Sequence, residues 1–207
     1  MKIFNLLFKS LFLITLIISI SSCKKKTDKK NIDAFCTTYN GRPEQSISYK
    51  EMATMITQYK ATRANVLKNA LGFEDTHTNW VQIDSLKKYL AYVEKLSNDN
   101  NIEITGINII SGAYPNQIIY GKEKNYQTLI LNPTTNKGDN PRTSFDPLNS
   151  ENGNPAFVSD LLLPYLNEID SLIANKKDVK RYIIKMLDEL NDTESSAFNK
   201  METTPPY

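Results

Sequence analysis

The sequence predicts an α+β fold with a small, mainly antiparallel sheet, helices packed on one face and a C-terminal helical hairpin. Apolar residues recur at helical spacing in several segments, and apolar residues alternate with polar ones in the middle of the chain. The predicted order of strand, helix, strand and strand favours a sheet with its helices on one side. Residues 45–192 are long enough to form one domain around a single core.

The first predicted helix begins after Ser48 and runs to about Leu71. Ser48 and Glu51 have the spacing of a capping box, in which each side chain bonds the other's backbone N–H. Gly72 is predicted to end the helix, because glycine readily adopts the left-handed conformation that follows a last turn. One apolar stripe supports the assignment: Met52, Met55, Ile56, Tyr59, Val66 and Leu67.

A short strand is predicted at Trp80–Ile83, followed by a helix that begins at Asp84 or Ser85. The turn-forming residues Asn98–Asn101 are predicted to end this helix. Its apolar residues repeat at helical spacing: Leu86, Tyr89, Leu90, Val93 and Leu96.

Two strands and a partner are predicted next. Ile102–Thr105 alternates, Gly106 interrupts the alternation, and Ile107–Ile110 follows. A bulge at Gly106 would keep both apolar sets facing the core, since one extra residue resets a period of two. Tyr126–Leu131 is the predicted partner strand, and residues 114–125 form the connection.

Residues 132–156 are rich in proline, glycine, asparagine and aspartate and predict a long loop. A loop of this length is usually functional or mobile. Its oxygen-bearing side chains could bind calcium, but their spacing is not that of an EF-hand, and an ordinary turn-rich loop is favoured. The candidate ligands are Asp139, Asn140, Asp146, Asn149, Glu151 and Asn152.

The C-terminal part predicts a helical hairpin made of Asp160–Ala174 and Asp178–Leu190. Each helix carries an apolar stripe that needs a cover. Burial against the sheet is favoured over a groove that binds a partner. Residues 193–207 are predicted to be a disordered tail.

The N-terminal residues 1–22 are typical of a signal peptide. Lys2 and Lys9 are followed by an uncharged apolar run that is too short to span a bilayer comfortably. Small residues precede Cys23, as a cleavage site requires. An uncleaved N-terminal anchor is the less favoured alternative.

The segment Ile20–Cys23 resembles the lipobox of lipoproteins cut by signal peptidase II. The resemblance implies cleavage before Cys23 and acylation of that cysteine, which makes Cys23 the lipid attachment residue. Each buried acyl methylene contributes about 0.8 kcal/mol, so several chains hold a protein on a membrane. Residues 23–44 would then be the lipidated cysteine and a flexible lysine-rich tether.

The residue after the cysteine bears on location. Lys24 stands where an aspartate would mark inner-membrane retention in enterobacterial lipoproteins, so the resemblance implies an outer-membrane protein. Acidic export signals of surface lipoproteins are not evident, so a position facing the periplasm is favoured over the cell surface. The lysines of residues 24–30 could bind anionic headgroups or polymers. A solvated tether, extended by its own repulsion, is the favoured interpretation.

Charge argues against a nucleic-acid partner. The chain has 25 basic and 23 acidic residues, and residues 31–207 hold 18 of the basic and 22 of the acidic ones. A nucleic-acid-binding domain is expected to present a basic face. Cys36 has no intramolecular partner for a disulfide if Cys23 is acylated, so it is either a buried apolar residue, the commoner fate, or a reactive or intermolecular thiol.

Catalytic and metal motifs are weak. His77 is the only histidine, and Glu74 and Asp75 lie beside it, which suggests a metal site in principle. No second histidine or paired-cysteine spacing accompanies them, and a solvated loop is favoured. There is no nucleophile elbow and no P-loop. We therefore predict no catalytic, metal or cofactor-binding residue and no cofactor.

Four aromatic residues cluster around the predicted strands and could stack on sugars or on a protein. Core packing is the commoner role of strand aromatics. Joint exposure of Tyr114 and Tyr120 would instead indicate a contact site. The four are Trp80, Tyr114, Tyr120 and Tyr126.

Segments between residues 48 and 150 carry a wider resemblance: Gly72–Thr76, Trp80, Ala91–Glu94, Gly106–Pro115 and Leu129–Thr134. In these segments the chain is similar to an uncharacterised family of lipoproteins from Bacteroidota-type bacteria. The resemblance implies an envelope location and a domain boundary, and it implies no mechanism.

The sequence therefore favours a lipid-anchored envelope protein, a non-enzymatic module that binds an envelope protein or a polymer. The tether would hold the domain near the membrane, where a high effective concentration lets a weak site serve. Two alternatives remain: a periplasm-facing hydrolase with an unrecognised carboxylate centre, and an immunity or inhibitor lipoprotein. The sequence does not separate these three functions.

Overall fold

The computed structural model describes residues 38–174, 194–199 and 201–204, which all belong to one compact unit, Asp33–Tyr207. Within those ranges the α-helices are α1 (Tyr49–Tyr59), α2 (Asn65–Leu71), α3 (Ile83–Asp99) and α4 (Val158–Ala174). The strands are β1 (Thr78–Trp80), β2 (Gly106–Ala113), β3 (Gln127–Lys137), β4 (Asn140–Glu151), β5 (Asn154–Phe157) and β6 (Glu202–Thr204).

The N-terminal helical segment forms as predicted. The Ser48 hydroxyl accepts the Glu51 N–H at 3.2 Å, and Gly72 ends α2 in the left-handed region with φ of 81°. A π-helical turn, Lys60–Ala64, separates α1 from α2. Such a turn inserts one residue into the hydrogen-bonding pattern and is rare in helices.

The main sheet is an antiparallel meander in the order β2-β3-β4-β5. Ile109 lies opposite Leu131 and Ile110 opposite Ile130, so β2 and β3 pair along the whole length of β2. The predicted α+β class with a small antiparallel sheet is confirmed. The predicted partner strand is confirmed too, although β3 extends six residues beyond Leu131 to Lys137.

The prediction of a long loop at residues 132–156 is wrong, because this segment forms the end of β3, all of β4 and most of β5. Prolines suggested a loop, but a strand tolerates proline where the missing N–H is not needed by a neighbouring strand. Pro133 lies opposite Ile107 at a position that does not donate to β2. Pro147 lies within the register shift between Asp146 and Glu151.

The predicted change of phase at Gly106 is confirmed. Ile104 and Ile107 both pack against the core although they are three positions apart. The Thr105 N–H donates to the Thr134 carbonyl at 2.8 Å while Gly106 is the residue opposite Thr134. No strand forms at Ile102–Thr105, however, so the separate strand predicted there is wrong.

Near the first strand the boundaries differ from the prediction. β1 ends at Trp80, and the residues predicted to complete it lead into α3, which begins at Ile83. The core cluster joins α3 to β3 and the C-terminal segment: Tyr89, Val93, Leu131 and Met201.

The C-terminal segment is ordered where the structure describes it, so the predicted disorder of residues 193–207 is wrong for 194–199 and 201–204. Phe198 and Leu131 exchange two backbone hydrogen bonds, of 2.8 and 3.1 Å. The β6 strand pairs with β1, with Thr203 opposite Asn79. The sequence suggested disorder because this segment is short and polar, and the residues that stabilise it lie far away in the chain.

The first helix of the predicted hairpin is present as α4, which starts two residues before Asp160. Asp178–Leu190 lies outside the described residues, as do Cys23 and Cys36. Among the helices that the structure describes, none combines the length and apolar character needed to cross a membrane.

Candidate functional site

The connection between β2 and β3 exposes two adjacent isoleucines. Ile118 is 91% and Ile119 71% exposed, at the start of a 3₁₀-helical segment, Ile118–Glu123. Large apolar side chains at these exposures are unusual next to each other, and contiguous apolar surface marks contact sites. We name Tyr114, Ile118, Ile119 and Tyr120 the connection surface.

The connection is held in shape by its own backbone. The Asn125 N–H donates to the Tyr114 carbonyl and the Tyr114 N–H to the Tyr126 carbonyl, both at 3.0 Å. Asn125 has a φ of 68°, a left-handed conformation that asparagine tolerates better than most residues. The two isoleucines are therefore presented on a closed turn.

A tyrosine pair supports the isoleucines. The rings of Tyr114 and Tyr120 lie 5.3 Å apart with a tilt of 37°. Both side chains are half-buried, so the joint exposure that would have made them a contact site is only partial. The two tyrosines were predicted as candidates from the sequence, but Ile118 and Ile119 were not. The sequence signal for them was two consecutive isoleucines in a predicted connection.

The C-terminal segment fixes one of these tyrosines. The Tyr114 hydroxyl donates to the Asn199 side-chain oxygen at 2.9 Å. The Asn199 amide in turn donates to the Leu129 carbonyl at 3.0 Å and to the Thr128 hydroxyl at 3.3 Å. Asn199 therefore ties the connection surface to the edge of β3.

A buried carboxylate holds the beginning of the same segment. Asp146 is 3% exposed and accepts the Ser196 hydroxyl at 2.6 Å. The Leu148 N–H and the Asn149 amide also donate to it, both at 2.9 Å. Donors of this kind stabilise an ionised carboxylate in a buried position. The burial of Tyr89, and then the nearby charge of Asp146, raises the pKa of that phenol.

The candidate calcium ligands do not converge. Asp146 and Asn149 bond each other near the C-terminal segment, whereas Asp139 and Asn140 lie at the turn between β3 and β4. The Asn152 side chain accepts the Asn101 amide at 2.6 Å. The described residues contain no group of three or more acidic, histidine or cysteine side chains placed to hold a metal.

The candidate metal ligands around the single histidine have different partners and do not converge either. Glu74 forms an ion pair with Lys68 at 2.6 Å, and this hydrogen-bonded lysine lowers the pKa of the exposed carboxyl. Asp75 is buried and accepts the Gln127 N–H at 2.7 Å, which ties the loop to β3. The His77 ring packs edge-on against Tyr59 at 5.7 Å.

The other two aromatic candidates differ from each other. Tyr126 packs edge-on against Phe73 at 5.3 Å, in a structural contact. Trp80 is 54% exposed at the end of β1. Neither lies in the tyrosine pair of the connection surface.

Two shallow grooves, of about 550 and 390 Å³, lie along α1. The larger includes Arg42, whose guanidinium donates to the Ser46 and Ile47 carbonyls. Among the residues that the structure describes, no acidic side chain lines either groove. A carboxylate-based hydrolase would need at least two in one concavity.

Comparison of the chain with protein-family models, with curated proteins and with solved structures finds no match.

Proposed function

We propose that this chain is a lipid-anchored protein of the cell envelope that binds a partner protein through the connection surface and performs no catalysis. The observation that carries the proposal is the exposure of Ile118 and Ile119 on a turn closed by backbone hydrogen bonds. Burying an isoleucine side chain contributes roughly 1.5–3 kcal/mol, so two neighbouring ones can anchor an interface. Anchors of this kind dominate the energetics of most interfaces.

The anchor in this proposal is an acylated Cys23 in the outer membrane, facing the periplasm, followed by the lysine-rich tether. Its support is the segment Ile20–Cys23 and the apolar run before it. The resemblance to Bacteroidota-type lipoproteins is part of the same proposal. Anchoring would keep the connection surface at high concentration beside envelope partners.

The proposal also includes the finer architecture predicted from the sequence. The helices would lie on one face of the sheet, and residues 178–190 would form a hairpin with α4. The contact of Tyr89 and Val93 with Leu131 supports the first part. The apolar repeat in residues 178–190 supports the second part.

Of the alternatives, a hydrolase gains no support from the two grooves along α1, because none of the described residues that line them is acidic. An immunity or inhibitor lipoprotein would use the same kind of apolar surface. It differs in giving one tight complex with one protein.

The test is crosslinking followed by affinity purification of the tagged, full-length protein from its own membranes. The double variant Ile118→Ser/Ile119→Ser should lower recovery of the partner at least roughly tenfold, because the two side chains contribute several kcal/mol. The matched control Val66→Ser alters another exposed apolar residue, on α2, and should leave recovery unchanged. Cys23→Ser should move the protein out of the membrane fraction.

Equal recovery with the double variant and the wild type would overturn the connection surface as the contact site. A single stoichiometric protein partner would favour an assembly or inhibitor role. If no protein is recovered with the wild type, the proposal of a protein partner is wrong and a polymer becomes the favoured ligand.

A further inference from the structure

The β2 strand presents an outer edge of backbone groups. Within the described residues it pairs only with β3. The Tyr114 N–H donates to the Tyr126 carbonyl, and in an antiparallel ladder alternate residues bond to the partner strand. The residues that bond to β3 are therefore Gly106, Asn108, Ile110 and Gly112. The N–H and C=O groups of the intervening residues point away from the sheet: Ile107, Ile109, Ser111 and Ala113.

This edge has none of the usual devices against pairing. Gly106–Ala113 contains no proline and no charged residue in eight positions. Exposed edges in monomeric proteins are usually short, charged or interrupted. One exposed isoleucine also lies on each face of the strand: Ile109 is 64% exposed on the core side, and Ile110 is 39% exposed on the other.

We propose that the β2 edge pairs with β2 of a second copy of this chain, antiparallel and about a twofold axis at Ile109 or Ile110. Such a pairing would satisfy the outward N–H and C=O groups of both copies and join two four-stranded sheets into one of eight strands. The isoleucine at the axis would lie directly opposite its own copy, and such β-branched pairs stabilise sheets.

The charge pattern favours a second copy over an unrelated strand. In a twofold interface each residue lies near its own copy, so a charged strand would repel itself. The β2 strand avoids this entirely, although 23% of the chain is charged. The inference does not depend on the connection surface, which uses different side chains.

The first experiment is oxidative crosslinking in native membranes, in a Cys36→Ser background of the full-length chain. Ile109→Cys or Ile110→Cys, whichever lies at the axis, should yield a disulfide-linked dimer as the major species. Directly opposite residues in a ladder have Cβ atoms roughly 4.5–5.5 Å apart, close enough for a disulfide after small adjustment. Val66→Cys, exposed on α2, is the matched control and should remain monomeric.

A charge-swap experiment distinguishes a second copy of this chain from any other strand that could pair with the β2 edge. Two differently tagged copies are produced together, and one is recovered through its tag. Copies that both carry Ile110→Lys should lose co-recovery at least tenfold through like-charge repulsion, and copies that both carry Ile110→Glu should do the same. A mixture of Ile110→Lys with Ile110→Glu should regain it.

Failure of both cysteine variants to crosslink, or failure of the mixed charges to rescue, would overturn the proposal. A crosslinked adduct containing a different protein would overturn it too, since another strand would then occupy the edge. The Ile110→Lys variant should still capture the partner that the connection surface binds. Loss of the dimer and loss of the partner are therefore distinguishable results.

Discussion

The two outer edges of the main sheet differ in length and in composition. The β5 strand has four residues, includes Pro155 and runs directly into α4. The β2 strand has eight residues with no proline or charge, and its outward groups have no strand beside them among the described residues. The β5 edge thus carries two of the devices by which proteins prevent edge pairing, and the β2 edge carries none.

The difference shows which side of the sheet is available for contacts. The β5 strand is short and contains a proline, and Lys137 lies 4.2 Å above the Phe157 ring. The β2 side continues into the connection with the exposed isoleucines. Pairing with a second copy and binding of a partner would therefore both occur on the same side of the domain.

The largest expected effect comes from removing the C-terminal segment that pairs with β3. A chain that ends at Glu194 would lose Phe198, which pairs with β3 where β4 has diverged, and Met201 in the core. We expect the free energy of unfolding to fall by roughly 3–6 kcal/mol, since each apolar side chain contributes roughly 1.5–3. Urea denaturation measures this loss.

The control for that truncation is Ile119→Ser, which changes an exposed side chain and should stay within roughly 0.5 kcal/mol of the wild type. If the truncated chain is as stable as the wild type, the C-terminal segment does not complete the sheet.

A second prediction uses a matched pair of prolines to close the β2 edge. Ile109→Pro removes an outward N–H and should be tolerated, while it blocks pairing with a second copy. Ile110→Pro removes an N–H that bonds to β3, so it should be less stable than Ile109→Pro by roughly 1–3 kcal/mol. Thermal unfolding monitored by circular dichroism compares the two.

Equal stabilities would show that the assignment of Ile109 as outward-facing and of Ile110 as bonded to β3 is incorrect. If Ile109→Pro is instead the less stable variant, the two sets of backbone groups are exchanged, and the outward groups belong to the even-numbered residues.

The smallest expected loss of stability comes from removing the Tyr89 hydroxyl, which bonds to β3. The Tyr89 hydroxyl donates to the Leu131 carbonyl at 2.9 Å, and the Phe198 N–H is this carbonyl's other donor. Tyr89→Phe should cost about 1 kcal/mol at neutral pH. Chemical denaturation of both proteins measures the difference.

The same substitution should alter the pH dependence. Burial raises the pKa of Tyr89 in the folded state, so its contribution is complete below the unfolded value of about 10 and is lost above it. Wild-type stability should therefore fall more steeply above pH 10 than that of Tyr89→Phe. Tyr92→Phe, at a more exposed position, should reproduce little of this change, and identical slopes for wild type and Tyr89→Phe would contradict the assignment.

Local signals predicted the helices and part of the sheet. The capping box at Ser48, the glycine at Gly72 and the stripe that contains Tyr89 and Val93 all act over a few residues, so the sequence displays them directly. The phase change at Gly106 was visible for the same reason.

Long-range pairings were not visible in the sequence. Asp146 resembled a loop residue with a calcium-type side chain, but its partner is Ser196, 50 positions later. Such a contact has no periodicity to reveal it. The prolines of β4 and β5 suggested a loop. Whether a strand tolerates a proline depends on which of its sides faces a neighbouring strand, and the sequence does not display this. The connection surface was missed because exposure of Ile118 is a tertiary property.

The C-terminal segment also constrains when the domain can fold. Residues 194–204 follow every other described element, and they supply a core side chain, a partner for β3 and the second strand of the β1–β6 pair. The preceding elements thus lack these contacts until this segment has been synthesised. Contacts between distant parts of a chain form slowly, because a large loop must close first. The domain should therefore reach its native state only after residues 194–204 have joined β3 and β1.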